Sequence, residues 1–144
     1  MPRRPRCNLP EYGIFHVIVR GVARMDIVLD DLDRVWFRRQ LADVEERFDW
    51  TVHAWCLMDN HFHLVVEAPL EALSRGMHRL NFLHAQRFNR RRDRDGHVFQ
   101  GRFAARVVEG DQALADVCDY VLANPVRAGL VATPDECRGR AARC

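Results

Sequence analysis

The hydrophobic pattern of the chain changes its period several times between two and 3.6 residues, and this alternation limits the folds that the chain can adopt. Segments with a period of two, or rich in β-branched residues, predict strands, and segments with a period of 3.6 predict helices. The predicted elements are a strand at Ile14–Arg20, a helix at Asp30–Phe48, strands at Thr51–Met58 and His61–Ala68, a helix that begins at Pro69 and includes Phe88, an extended segment at Val98–Val108 interrupted at Gly101, and a helix at Gln112–Ala123 ended by Pro125.

The order β-α-β-β-α-β-α predicts an α+β protein, a ferredoxin-like sandwich with a largely antiparallel sheet and helices on one face. The turn pair Asp59-Asn60 joins the second and third strands as a hairpin. An all-parallel Rossmann sheet would need a helix between every pair of strands and a glycine-rich phosphate loop. Neither G-x-G-x-x-G nor G-x-x-x-x-G-K-[ST] occurs in the sequence.

The length of 144 residues predicts one domain over residues 1–144, with a basic N-terminal arm at 1–11 and a short polar tail at 134–144. The sequence has no apolar run near the ~18 residues of a membrane span and no secretory signal, so we expect a cytoplasmic protein that does not bind membranes. The five cysteines are odd in number and form no C-x-x-C pair, which argues against a disulfide framework or a cysteine zinc site.

The most informative local feature is the sequence His61-Phe62-His63 in the third strand. Residues two apart in a strand point to the same face and lie about 6.6 Å apart along it, so both imidazoles could reach one metal ion. Phe62 would then face the core. The alternative is a pair of half-exposed structural histidines on an edge strand.

Tyr120 and Asn124 lie four residues apart in the last predicted helix, so their side chains share one face. Two imidazole nitrogens from His61 and His63 and the amide oxygen of Asn124 would form a three-ligand site that suits Mg²⁺ or Mn²⁺ better than a structural Zn²⁺. Tyr120 beside that site would be a nucleophile for a phosphate. The alternative is that Asn124 merely stops the helix and that Tyr120 packs under the sheet.

All 22 basic residues are arginine, and nine of them fall in an arginine-rich segment, residues 75–106, where few acids oppose them. This segment predicts nucleic-acid binding through arginine contacts to phosphates. The candidate DNA-binding residues are Arg87, Arg90, Arg91, Arg102, Asn89 and Gln100. The alternative is a solvated helix face. The remaining histidines have no partner at ligand spacing and are expected to be structural or surface residues; they are His16, His53, His78, His84 and His97.

Taken together, these residues resemble the single-tyrosine HUH transposases of bacterial insertion sequences, most closely the REP-associated tyrosine transposases. The matching stretches are HVIVRG at 16–21, AWCLMDNHFHLVV at 54–66, FNRR at 88–91, GHVFQGRF at 96–103 and YVLANPVRAGL at 120–130. The chain departs from the family pattern at Asp59, where proline is common, and at Val22, where asparagine is common.

The resemblance implies a ferredoxin-like core and an enzyme that cuts and rejoins single-stranded DNA near hairpins through a 5′-phosphotyrosine intermediate. His61 and His63 match the histidine pair, Tyr120 matches the nucleophile, and Asn124 matches a polar metal ligand. The implied partners are Mg²⁺ or Mn²⁺ and single-stranded or hairpin DNA in the bacterial nucleoid. Whether an active site forms within one chain or across a homodimer stays open.

Two other functions fit parts of the sequence. A decayed or domesticated transposase domain would bind hairpin DNA without cleaving it. A two-histidine phosphoesterase would need a pair of H-x-[ST] motifs, and the sequence has one H-x-H and no second motif.

Overall fold

A computed structural model of the protein describes residues 8–127, and the side chains of residues 8–124. The strands are β1 Tyr12–Arg20, β2 Thr51–Leu57, β3 His61–Pro69 and β4 Ala104–Val108, and the helices are α1 Asp31–Arg47, α2 Leu70–Arg91 and α3 Asp111–Arg127. The predicted order of the elements is therefore confirmed. Of the two predicted terminal segments, the arm at 1–11 is described from residue 8 onwards, and the tail at 134–144 lies outside the described residues.

The four strands form one sheet in the order β2-β3-β1-β4, and every neighbouring pair is antiparallel. Helix α1 connects β1 to β2, and α2 connects β3 to β4, which is the split βαβ arrangement. Strand β1 lies beside β3, with Arg20 opposite His61 and Ile18 opposite His63. The α+β class and the antiparallel sheet predicted from the sequence are confirmed.

Helices α1 and α2 cover the face of the sheet that carries Phe62. The ring of Phe62 packs against Phe37 of α1, with ring centroids 4.9 Å apart, and Phe37 also contacts His84 of α2. Alternate residues of β1 and β3 on this face are fully buried, as are Leu73 and its neighbours one and two turns along α2. Because burial of apolar side chains is the main favourable term in folding, this layer is the main source of stability.

Helix α3 lies on the opposite face, where it packs mainly over β2. Its Tyr120 contacts His63, and neighbouring residues of a strand point to opposite faces. The expectation of helices on one face therefore holds for α1 and α2 and is corrected for α3. The layer between α3 and the sheet contains buried apolar residues, among them Cys56, Val65 and Val121, together with the histidines.

Two predicted boundaries need correction. The extended segment at Val98–Val108 contains one isolated bridge, between Phe99 and Gly21, and the regular strand begins only at Ala104. Between them Gly101 has φ of +60°, a conformation that glycine adopts without strain and that ends the extended run. Helix α3 does not end at Pro125 but continues to Arg127. Proline lacks an amide hydrogen and its ring crowds the fourth preceding carbonyl, which disfavours a helix at this position without forbidding it.

No helix within residues 8–127 is long and apolar enough to cross a membrane.

Candidate active site

The two histidines of the H-x-H motif lie at the start of β3, on the face that α3 covers. The ring centroids of His61 and His63 are 5.1 Å apart with the rings nearly perpendicular. His63 is 3% exposed, and His61 is half-buried. The strand period of two thus brings both imidazoles to one face, as the sequence predicted, while Phe62 between them points into the core.

The turn before β3 orients the first of these rings. Nδ1 of His61 lies 2.8 Å from Oδ1 of Asn60, and because an amide oxygen only accepts, Nδ1 carries the hydrogen. Nε2 of His61 is then unprotonated and can bind a ligand. Burial, together with the nearby charge of Arg20, lowers the pKa of His61 and favours this neutral state. The turn itself is anchored by an ion pair of 2.8 Å between Asp59 and Arg34 of α1.

A third histidine, His16 of β1, completes the cluster, although no local sequence pattern places it there. We expected His16 to be a structural or surface residue, but its Nε2 lies 3.0 Å from Nδ1 of His63 and the two rings are stacked. Burial, and secondarily the charge of Arg106 opposite it on β4, lowers the pKa of His16 to about 4. The signal was available only from strand pairing, since His16 and His63 are 47 residues apart in the chain.

Tyr120 lies over this cluster on α3. Its ring meets the edges of His63 and His16, with centroids 6.0 and 6.1 Å apart. The residue is 45% exposed, whereas the adjacent Val121 is completely buried. The packing of Tyr120 under the sheet, which was the alternative, therefore does not describe this tyrosine. A phenol in this position can reach both solvent and the histidine pair.

Asn124 lies one turn beyond Tyr120 on the same face of α3, and its Nδ2 donates to the backbone carbonyl of Tyr120 at 3.2 Å. The donor group of the amide faces the helix, and Oδ1 is its oxygen donor. Within residues 8–127, no three His, Cys, Asp or Glu side chains are grouped so as to hold a metal ion. The ligand set predicted from the sequence, His61, His63 and Asn124, therefore stays a prediction.

The arginine-rich segment does not act as one surface. Arg91 forms ion pairs with Asp30 and Asp33 at 2.8 and 2.5 Å. Its charge is therefore neutralised by acids at the start of α1. The guanidinium of Arg87 lies over the ring of Trp36, 3.3 Å from its centroid. Both side chains are oriented by neighbours in the protein, which leaves them less free to follow a DNA backbone.

Arg90 and Arg102 are exposed, and neither forms an ion pair with another part of the chain between residues 8 and 127. The amide of Asn89 is used in the loop that follows α2, where it donates to the carbonyl of Gly96 at 2.9 Å. Gln100 is exposed, and its backbone nitrogen donates to the carbonyl of Arg20 at 2.9 Å. Since Arg20 lies opposite His61, this bond brings the loop to the histidine end of the sheet.

Two arginines, Arg20 and Arg106, lie on the histidine face, and no local sequence pattern places them together. Strand register places Arg20 opposite His61 and Arg106 opposite His16. Both side chains are exposed. They give the surroundings of the histidines a positive charge, which favours a bound phosphate.

Comparison with known proteins defines the class to which this fold and site belong, the transposases. The sequence model of the family described as "Transposase IS200 like" matches residues 12–124, which contain the four strands, the histidine cluster and Tyr120. The chain belongs to the IS200-like transposase family, which confirms the resemblance drawn from the sequence.

Among curated proteins, the chain is 28% identical over 130 residues to a "Putative REP-associated tyrosine transposase" of Haemophilus influenzae, covering 77% of this chain and 73% of the relative. Among solved structures, one described as a REP-associated tyrosine transposase bound to a REP hairpin has a TM-score of 0.70 at 18% identity, covering 94% of this chain and 78% of the other. A "putative transposase" of Deinococcus radiodurans has a TM-score of 0.55 at 15% identity, covering 84% and 95%. These structures share the fold.

Proposed function

We propose that the protein is a tyrosine transposase that cuts and rejoins single-stranded DNA beside a hairpin, with Tyr120 as the nucleophile. The observation that carries the proposal is the half-exposed phenol of Tyr120 against the buried His63, on the same face as His61. Membership of the transposase family supports the reaction class. The neighbouring structure with a REP hairpin supports hairpin DNA as the partner.

The residues present fit a divalent cation such as Mg²⁺ or Mn²⁺. Nε2 of His61 is unprotonated when Nδ1 of the same ring donates to Asn60. His63 uses Nδ1, not Nε2, in its hydrogen bond to His16. Oδ1 of Asn124 is an oxygen donor. When bound, the cation would polarise the scissile phosphate and offset its negative charge.

The nucleophilic step belongs to Tyr120. Its phenolate oxygen attacks the phosphorus in line with the leaving 3′ oxygen, so the bond between phosphorus and that oxygen breaks and a 3′-hydroxyl is released. The phenol proton passes to solvent, the leaving 3′ oxygen takes a proton from solvent, and the 5′-phosphate stays on the tyrosine. The reverse attack by a 3′-hydroxyl rejoins strands. Because the phosphodiester energy is retained in the covalent link, the reaction needs no nucleotide cofactor.

The nearby arginines would hold the DNA backbone at the histidine end of the sheet. Arg20 and Arg106 lie on the histidine face, and Arg90, Arg102 and Gln100 are exposed candidates outside it. Because Arg91 and Asn89 already bind other parts of the protein, we assign them to the structure of the α2 end rather than to DNA. Arg87, which stacks on Trp36, would contribute charge but little reach.

The test is formation of a covalent protein–DNA adduct. Labelled single-stranded hairpin DNA is incubated with the protein and Mn²⁺ and is resolved on a denaturing gel. We expect an adduct with the wild type and none with Tyr120→Phe, which removes only the hydroxyl, although hairpin affinity is retained. Mass spectrometry should place the DNA on the peptide that contains Tyr120.

Tyr12 provides a matched control, since it is the only other tyrosine and lies at the far end of the sheet with its hydroxyl 2.7 Å from Glu67. Tyr12→Phe should form the adduct as the wild type does. If DNA is found on Tyr12, Tyr120 is not the nucleophile. Hairpin binding without any adduct would instead support the decayed or domesticated domain that only binds DNA.

A further inference from the structure

The strongest unassigned feature is the hydrogen bond between His16 and His63. The two residues lie on adjacent strands in diagonal positions, because the residue directly opposite His63 is Ile18. His16 is 9% exposed and His63 is 3% exposed, and their ring centroids are 5.3 Å apart. A buried imidazole pair this close has one shared hydrogen, and its position decides which nitrogen of His63 is available to a ligand.

Two arrangements are possible for two neutral rings joined between Nε2 of His16 and Nδ1 of His63. If His16 donates, Nδ1 of His63 is the acceptor and the hydrogen of His63 is on Nε2, so neither nitrogen can bind a metal. If His63 donates, its own hydrogen is on Nδ1 and its Nε2 is unprotonated, which is the state that can bind a metal. A metal-binding His63 therefore requires His16 to be the acceptor.

We propose that His16 is a positioning residue that accepts the Nδ1 hydrogen of His63 and thereby presents Nε2 of His63 to the cation. The inference rests on the proposed function and adds a residue to it. Asn60 plays the same part for His61, since its amide oxygen accepts the Nδ1 hydrogen of that ring. Each histidine of the pair then has its own acceptor, which is the usual way in which a metal-binding imidazole is fixed in tautomer and orientation.

The surroundings of His16 suit an acceptor. Only a neutral imidazole has a lone pair to offer, and the ring is buried with Arg106 opposite it on β4 and the edge of Tyr120 against it. Neither neighbour is an anion that would favour the protonated ring. The same ring borders His63 and the proposed nucleophile, so its loss would change the geometry of both.

The first measurement needs no variant. Long-range ¹⁵N NMR of the metal-free wild-type protein reports which nitrogen of each histidine ring is protonated. We expect both His61 and His63 to be protonated at Nδ1. A His63 protonated at Nε2 would overturn the proposal.

The second measurement is Mn²⁺ affinity by calorimetry, without DNA and without activity as a readout. His16→Phe keeps a flat ring against His63 but removes the acceptor, and we expect affinity to fall about 10–100-fold. His16→Gln keeps an acceptor oxygen and should retain most of the affinity. His53→Gln is the matched control, because His53 lies at the other end of the sheet, where it is hydrogen-bonded to Glu67. The affinity of this variant for Mn²⁺ should equal that of the wild type.

The outcomes separate this inference from the proposed function. If the wild type binds Mn²⁺ through His61, as shown by loss in His61→Ala, and His16→Phe binds equally well, the positioning role is wrong and the proposed site stands. If the wild type binds no Mn²⁺, the metal site and the positioning role both fail, while adduct formation still tests Tyr120. If His16→Phe does not fold, the NMR tautomer of the wild type decides the question.

Discussion

At the scale of single residues, Gly76 shows how the absence of a side chain lets a helix pack closely against its neighbours. A glycine inside a helix costs about 1 kcal/mol relative to alanine, so its presence in the middle of α2 needs a reason. A Cβ atom at this position would collide with the ring of Trp50 and would lie 3.0 Å from Cγ1 of Val44. Trp50 cannot move away easily, because it is buried and its Nε1 donates to the carbonyl of Ala72 in the same helix.

We therefore predict that Gly76→Ala destabilises the protein although alanine is the better helix former. The steric cost of overpacking is about 1–3 kcal/mol and outweighs the gain in helix propensity of about 1 kcal/mol. Urea denaturation should show a decrease in the free energy of unfolding of about 1 kcal/mol, the midpoint of the difference between the two terms. Gly13→Ala is the control, since the nearest side-chain atom is at 3.4 Å and the added methyl group fits. An alanine variant at 76 that is as stable as the wild type would contradict this account of the helix contact.

The site residues differ in how far the sequence could predict them. His61 and His63 are two apart in one strand, and Tyr120 and Asn124 are four apart in one helix, so local periodicity placed each pair on a common face. The contact between His16 and His63 depends on the register between two strands, which no local pattern contains. Similarly, the pairing of Arg91 with Asp30 and Asp33, which lie some 60 residues earlier, is not visible in the local sequence around Arg91.

At the scale of elements, the start of α1 is joined to the end of α2 by a cluster of ion pairs. Asp33 is 3% exposed and accepts hydrogen bonds from the amide of Leu29 and from both Arg91 and Arg92. The acids lie at the N-terminus of one helix and the arginines at the C-terminus of the other, so the cluster also complements both helix dipoles. Burial alone would raise the pKa of Asp33, but the hydrogen bonds outweigh it and the pKa is lowered.

We predict that Asp33→Asn lowers the free energy of unfolding by about 3 kcal/mol, because it leaves two arginines without their buried partner. Asp43→Asn should cost less than about 1 kcal/mol, since Asp43 and its partners Arg47 and Arg79 are each more than a third exposed. Thermal or urea denaturation of the three proteins at neutral pH measures both effects. Equal losses in the two variants would show that the cluster does not hold the helices together.

The same carboxylate gives the stability a pH dependence of known sign. The folded-state pKa of Asp33 is lowered below the unfolded value of about 3.9, so its contribution is complete above that pH and is lost as the pH falls through the folded-state pKa. Between pH 5 and pH 3 the wild type should therefore lose more stability than Asp33→Asn. Parallel curves for the two proteins would be inconsistent with an ionised Asp33 in the cluster.

The element boundaries show what local signals can and cannot fix. The predicted helix at Asp30–Phe48 agrees with α1 because Asp30 caps it, with Oδ1 accepting from the amide of Asp33 at 2.9 Å. The end of α3 was misplaced because proline disfavours a helix without forbidding it, and the helix continues to Arg127. The side of the sheet that α3 covers could not be predicted, since its apolar residues fit either face.

At the scale of the whole molecule, the distribution of charge matters more than its sum. The formal net charge is only +2, and a part of the positive charge is neutralised between α1 and α2. The charge that remains available includes Arg20 and Arg106 on the histidine face and the exposed Arg90 and Arg102. On the proposed function, the surface that would bind DNA is therefore smaller than the arginine-rich segment of the sequence indicated, and it would include the end of the sheet where His61 lies.

This distribution predicts how salt affects hairpin binding. Each arginine that contacts a phosphate releases counterions, so removal of one contact lowers the slope of log affinity against log salt concentration by about 0.7 for single-stranded and about 0.9 for duplex DNA. We expect this decrease for Arg90→Ala and Arg102→Ala, measured by fluorescence anisotropy with a labelled hairpin in EDTA. Arg91→Ala is the matched control: it adjoins Arg90 in the same helix, but its charge is bound by Asp30 and Asp33. Its slope should equal that of the wild type while its free energy of unfolding falls. A lowered slope for Arg91→Ala, with unchanged slopes for Arg90→Ala and Arg102→Ala, would contradict this prediction. It would show that DNA contacts the junction between α1 and α2 and not the exposed arginines.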